Sequence, residues 1–424
     1  MSKQHIYFVG INGASLNGIA QILVARGYRV SGSDVCENEI TQKLRGLGIN
    51  VFSRQLASNI TKDIDEVVIS SAALNGPGAV EIARAKELGI KVHKRTAWWK
   101  KLMGQAQQAV AVAGSHGKTS TTAMIGHVLS EAGLNPTVMV GGYVPDFSGT
   151  VRVGAKELIV VEADEYDKAF HQCAPTISVI TNIDFDHPDT YPTLKDYIKG
   201  FRKFAKLSKK RNGSIIANGK DKNIRLALSK IQSPIKYYSE DNLVPNVRVP
   251  VVGEHMLLNA QAAFHVCHRL GVAKSVIVKA LKEFRGVGRR FEFLMEYKGM
   301  NIYDDFAHHP TEVTAVIKGA KEKFGGKVGV IFQPHQRIRT KQFLADFSTA
   351  LEQADAAAVL PIYEVVGREE EIDIKSDDIA DIGDNIQAIT QSGIKQFVDS
   401  LHNYSVLLVM GAGDINQQVK KCLE

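Results

Sequence analysis

Three times along the 424 residues an apolar run of strand length breaks off into glycine or polar residues, and a segment of helical period follows. The runs are IYFVG at 6–10, AVAVAG at 109–114 and NIYDDF at 301–306. This alternation is the pattern of α/β domains with largely parallel sheets. A chain of this length exceeds one ordinary hydrophobic core, so the restarts are read as three domains, 1–104, 105–297 and 298–424. Open α/β sheets hold ligands beyond the C-terminal ends of their strands, and function is sought there.

At the second restart Gly114, Ser115, His116, Gly117, Lys118, Thr119 and Ser120 lead into a helix. Its apolar residues Met124, Ile125, Val128, Leu129 and Ala132 share one face, and Gly133 and Pro136 mark its end. Backbone N–H groups at a helix start suit a triphosphate, Lys118 neutralises its outer oxygens, and a hydroxyl from Thr119 or Ser120 reaches Mg²⁺. The ordinary loop carries a glycine five residues before Gly117, where this chain has Val112. The loop is therefore a shorter G-x-x-G-K-T, and a glycine turn with a surface lysine is its bland alternative. Downstream, ELIVVEADEYD reads as a buried strand with Glu162, Asp164 and Glu165 just beyond it, where a carboxylate can hold Mg²⁺, and SVITNIDFDHPDTY as another strand ending in polar residues, with His187 following Asp186.

The first block places Gly10, Asn12 and Gly13 after its first strand and Asp34 after its second, where an acid often meets a ribose. The glycines do not form G-x-G-x-x-G, and a structural turn explains them equally well. The formal charge of +7 is spread along the chain; the lysine-rich stretch 194–211 reads as a solvated helix face, with no nucleic-acid motif beside it. Trp98 and Trp99 read as packing at a domain end. Four separated cysteines suit unpaired thiols in a reducing cytoplasm, and no segment reads as a signal peptide or membrane span.

GSHGKTSTT, VEADEYD, TNIDFDHPDTY, GEHMLLNAQAA, GVGRRFE, YDDFAHHPTEV, FQPH and GAGDI follow one another in an order that resembles the Mur ligases, ATP-dependent amide-forming enzymes of peptidoglycan synthesis. The resemblance spans nearly the whole chain. It implies a Rossmann-like N-terminal domain for the UDP end of a sugar nucleotide, a central P-loop ATPase-like domain and a Rossmann-like C-terminal domain that brings the amino acid. For the UDP-sugar it implies Gly10, Asn12, Gly13, Ser33, Asp34, Ser70 and Ser71. For ATP it implies the loop 114–120, with Lys118 on the β and γ phosphates, His255 and Asn259 near the adenine and Arg290 near the phosphates. Thr119 and Glu162 would hold Mg²⁺ and His187 a second metal position. Asp305, His308, His335 and Arg339 would face the amino acid or the reaction centre.

Within the family, the opening FVGINGASLNG and the closing GAGDI resemble the branch that joins L-alanine to UDP-N-acetylmuramate. YDKAF and DDFAHHP lean towards the branch that attaches a ready-made tripeptide, L-alanyl-γ-D-glutamyl-meso-diaminopimelate, to the same sugar nucleotide. The chain departs from the family at Asn12 and Ala14 to Leu16, at Met256 after His255, at Phe306 and Ala307, and at Gln336. Some relatives carry a carbamylated lysine; Lys199 and Lys203 read as exposed helix residues instead. The expected chemistry is activation of a carboxylate as an acyl phosphate, then attack by the amine, with His308 or Asp305 taking the proton and Arg339 clamping the amino-acid carboxylate. Two readings from other classes are a nicotinamide-dependent dehydrogenase and an NTP-binding module without ligation chemistry. The oligomeric state is not legible.

Overall fold

A computed structural model describes residues 3–70, 72–74, 76–364 and 371–424, and in it the three restarts become three sheets. The first is parallel, in the spatial order Asn50–Phe52, Arg29–Ser33, His5–Val9, Glu66–Ile69, Lys91–Lys94. The strand order reverses between His5–Val9 and Glu66–Ile69, which opens a crevice at their C-terminal ends. Gly10 stands there at φ +81, and a Cβ on it would lie 3.4 Å from the Ser70 hydroxyl oxygen.

The second sheet runs Ile235–Tyr238, Ser214–Asn218, Ile177–Ile180, Gln108–Ala113, Ala155–Glu162, Pro136–Val144, Gly149–Arg152, with only the last strand antiparallel. The strand that feeds the phosphate loop is central and wholly apolar along its buried length, as a strand covered on both faces must be. Its neighbours end at Glu162 and Ile180, so the loop, the acidic residues and the run after Ile180 meet at one edge. The following helix, Lys118–Glu131, is buried from Thr119 to Leu129. The one apolar face expected of it is exceeded because the helix Glu254–Arg269 covers its other side.

The third sheet has the order Glu292–Tyr297, Met300–Asp305, Tyr404–Met410, Lys327–Phe332, Ala356–Val359, Ile386–Ala388, the first strand antiparallel. That strand corrects the expected boundary at 297/298. Lys298 and Gly299, at φ +50 and +81, turn it into a hairpin with Met300–Asp305, so the third domain begins before Glu292. The other boundary, at 104, falls inside the helix Arg95–Gln105.

That helix joins the first two domains. Trp98 and Trp99 are 2 % and 5 % exposed, and one apolar cluster continues through them from Ile6 and Phe8 to Phe170, Phe201 and Phe204. The Arg211 guanidinium donates to the carbonyls of Met103, Ala106 and Ala174, fixing the helix end on the central domain. In the lysine-rich helix Leu194–Lys209, Tyr197, Phe201 and Phe204 are buried while Lys195, Lys199, Lys203, Lys206 and Lys209 face solvent. All four cysteines are unpaired, and among the described residues no helix is long and apolar enough to cross a membrane.

Candidate active site

Two glycines give the phosphate loop its shape. Gly114 and Gly117 have φ +145 and +77, in the left-handed region that side chains avoid. A Cβ on Gly114 would collide with the Thr181 side chain, and one on Gly117 with the Asn259 amide. The loop is then held from the neighbouring strand end: the Thr181 hydroxyl donates to the His116 carbonyl at 2.6 Å, and the His116 N–H donates to Asn182 Oδ1 at 2.8 Å. Ser115 Oγ donates to the Asp184 carbonyl at 2.6 Å. Thr181 and Asn182 stand 65 and 66 residues from His116, so no local spacing shows their service to the loop.

Lys118 Nζ folds back to donate to the carbonyls of Gly114 and Ser115 at 2.6 and 3.0 Å and to Glu165 Oε1 at 2.9 Å. Burial works against its charge, but Glu165 more than offsets this and raises its pKa, so the lysine is cationic. Glu162 accepts from the Thr119 hydroxyl at 3.0 Å and from the Gly141 N–H at 2.6 Å. Glu165 is fully buried; its Oε1 also lies 3.3 Å from the Tyr197 hydroxyl and 3.6 Å from His187 Nε2, while its Oε2 has no hydrogen-bond partner among the described residues. Asp164, Glu165 and His187 bring one ligand atom each to within 4.8 Å of one another. An orphaned carboxylate oxygen among a hydroxyl, carboxylates and an imidazole fits a hard divalent cation.

The third domain closes over this edge. Asp186, almost wholly buried, receives Arg339 in a two-pronged pair at 3.0 and 3.2 Å. Burial would raise the Asp186 pKa, but the guanidinium holds it well below the usual carboxylate range. Arg339 therefore spends its fork on a protein carboxylate, not on a free position for an amino acid; a third N–H donates to His335 Nδ1 at 3.2 Å. His335 stacks on Tyr363 with ring centres 5.8 Å apart, and His308 lies 6.2 Å from His335. Burial lowers the His308 pKa to about 4, and its Nδ1–H donates to the Phe306 carbonyl at 3.0 Å, which leaves Nε2 as an acceptor.

Asp305 is corrected in role. Both its oxygens accept backbone N–H groups, from Phe291 and Ala307 at 2.8 Å each, so it fixes the turn that presents His308. Burial raises its pKa to about 6. Two further corrections fall in the first domain. Ser33 is fully buried and donates to Glu81 at 2.6 Å, and Asn12 donates to the Cys36 carbonyl and the Thr41 hydroxyl at 2.6 and 2.8 Å. Both side chains shape the loop from inside. Asp34 accepts the N–H groups of Asn12 and Cys36 at 2.9 and 3.2 Å. Gly10, Gly13 and Ser70 border the crevice, and Ser71 lies outside the described residues.

Two cavities meet at this junction. One, of about 670 Å³, lies between His255, Met256 and Asn259 of the central domain and, across the junction, Arg290 and Thr311. The other, of about 330 Å³, is bordered by Ser15 and Arg95 of the first domain, Lys118, Glu162 and His187 of the second and Phe306 and His308 of the third. Gly117, Arg290 and Glu312 border both. Ser15, Arg95, Asp186 and Glu312 were not expected in the site. An acid in a helix's first turn, such as Glu312, ordinarily reads as a partner of the helix dipole.

The family model described as "Mur ligase family, catalytic domain" matches residues 5–107, "Mur ligase middle domain" matches 112–245 and "Mur ligase, glutamate ligase domain" matches 289–413. The chain is 36% identical over 451 residues to the UDP-N-acetylmuramate–L-alanine ligase of Caldicellulosiruptor saccharolyticus, covering 99% of this chain and 97% of that one. The crystal structure of the UDP-N-acetylmuramate–alanine ligase of Thermotoga maritima superimposes with a TM-score of 0.78 at 29% identity, over 99% of this chain and 98% of that one. The murein peptide ligase of Psychrobacter arcticus shares the fold, with a TM-score of 0.73 at 22% identity over 99% and 98%.

Proposed function

The chain belongs to the Mur ligase family, and from that premise we propose that it joins L-alanine to UDP-N-acetylmuramate, converting ATP to ADP and phosphate. The observation that carries the reading is the convergence of all three domains on one chamber, with Lys118, Glu162 and His308 around it. A dehydrogenase has no use for the phosphate loop of the middle domain. The relatives that match most of the chain at 35–37% identity carry the name of the L-alanine ligase, which favours that acceptor over the tripeptide. ATP and a nucleotide-sugar as substrates support a cytoplasmic setting for the reaction.

A carboxylate acylates poorly because oxide is a poor leaving group. ATP bound with its base in the larger cavity would lay its phosphates along Gly114–Ser120, the γ-phosphoryl group reaching the chamber past Gly117 and Arg290. The lactyl carboxylate, brought from the first-domain side near Ser15 and Arg95, attacks the γ-phosphorus in line and ADP departs. Lys118, released from the carbonyls of Gly114 and Ser115, neutralises charge on the transferred group. Thr119, Glu162, His187 and the buried Glu165 would hold Mg²⁺, which when bound supplies further neutralisation of phosphate charge. The amine of L-alanine then attacks the acyl carbon and inorganic phosphate leaves. His308, neutral with Nε2 as its acceptor nitrogen, would receive the amine proton. Arg339 meets the alanine carboxylate only if Asp186 yields one prong. Enclosure between the domains keeps water from the acyl phosphate.

UDP-N-acetylmuramate labelled with ¹⁸O in its carboxylate tests the activation step. One labelled oxygen is expected in the inorganic phosphate released with each amide formed; phosphate without label would rule out the acyl phosphate.

A further inference from the structure

Resting on the ligase reading, we propose that Glu312 is a positioning residue that couples the seating of ATP on the phosphate loop to the seating of the amino acid on the third domain. Glu312 lies in the first turn of the helix Pro310–Phe324, with its side chain 10 % exposed. Its Oε1 is 3.2 Å from His116 Nδ1 on the phosphate loop and 3.8 Å from Arg290. Its Oε2 accepts the backbone N–H of His308 at 3.1 Å and lies 3.3 Å from the His308 ring. One carboxylate thus holds the nucleotide loop with one oxygen and the proton-accepting turn with the other.

The rest of the junction reinforces this link. His116 donates through Nε2 to Asp184 at 2.9 Å, and Asp184 accepts the Thr311 hydroxyl at 2.6 Å. His309 donates to the Phe185 carbonyl at 3.2 Å. Burial alone would lower the His116 pKa, but its hydrogen bonds to Asp184 and Glu312 raise it to about 9, so His116 is an imidazolium between two carboxylates. A phosphate entering past Gly117 approaches the same two cations, His116 and Arg290, that Glu312 neutralises. Oε1 must yield to it, and Oε2 transmits the displacement to His308. The coupling has a physical carrier, a carboxylate whose two oxygens serve different substrates.

Glu312→Ala removes both links; Glu312→Gln keeps an acceptor for His308 but loses the charge. For Glu312→Ala we expect KM for L-alanine to rise about tenfold and kcat to fall about tenfold, the Kd for UDP-N-acetylmuramate to stay within about twofold, and Glu312→Gln to lie between. Hydrogen exchange supplies a readout that a local packing role would not move. In the wild type a non-hydrolysable ATP analogue should slow exchange at 306–311 as well as at 114–118, and in both variants only the loop should respond. Kinetic constants within twofold of wild type, or a nucleotide response at 306–311 that survives in the variants, would overturn the proposal. Wild-type protein that forms no L-alanyl product would count against the ligase reading alone, because the exchange comparison needs no acceptor.

Discussion

Lys118→Ala should lower kcat for ADP release by about a thousandfold while the Kd for UDP-N-acetylmuramate stays within about twofold, as expected when a cation is withdrawn from a phosphoryl-transfer transition state. The division follows from the fold, since Lys118 starts the helix of the second sheet whereas the crevice between Gly10 and Ser70 belongs to the first. Removing Lys118 also strips the buried Glu165 of its cation, which alone destabilises. The double change Lys118→Ala/Glu165→Gln tests the stability part alone: with the uncompensated carboxylate gone, thermal stability should recover. ADP release kinetics and calorimetric titration with the sugar nucleotide measure both sides. Loss of sugar-nucleotide binding in a folded Lys118→Ala variant would refute the division of labour between the domains.

Arg339→Ala is the second large effect. Arg339 and Asp186 are both under 5 % exposed and belong to different domains. Removing one partner of such a pair leaves a buried charge uncompensated, at a cost of about 3–5 kcal/mol. The cost falls on the contact between central and third domains. Chemical denaturation should therefore show an early transition absent from the wild type, and X-ray scattering a larger radius of gyration. Arg339→Lys should retain little of the contact, because an ammonium cannot reproduce the two-pronged geometry. A single wild-type transition in Arg339→Ala would show that the pair does not hold the domains together.

What the residues disclosed in advance was mostly local. The strand, loop and helix around Lys118 announce themselves because every part lies within about two dozen residues, and Glu162 follows a strand whose apolar run is unmistakable. Arg339 and Asp186 are 153 residues apart, and His116 and Glu312 are 196 apart; no periodicity links such partners, so Arg339 looked like an available clamp and Glu312 like a helix-start acid. Ser33 and Asn12 escape sequence reasoning for another reason. A polar residue at a strand end looks the same whether it points into a crevice or, as here, towards Glu81 and Cys36 inside the domain. The third domain begins before 297/298 because the edge strand Glu292–Tyr297, none of whose residues is fully buried, pairs only with the strand that follows it, and nothing in its own residues says which sheet it joins.

The measurement that tests the central claim most directly is mass spectrometry of the products formed by purified protein with ATP, Mg²⁺, UDP-N-acetylmuramate and, in separate reactions, L-alanine, L-serine, glycine or the L-alanyl-γ-D-glutamyl-meso-diaminopimelate tripeptide. The account predicts UDP-N-acetylmuramoyl-L-alanine as the preferred product, with one ADP formed per amide. A product with the tripeptide alone would contradict it.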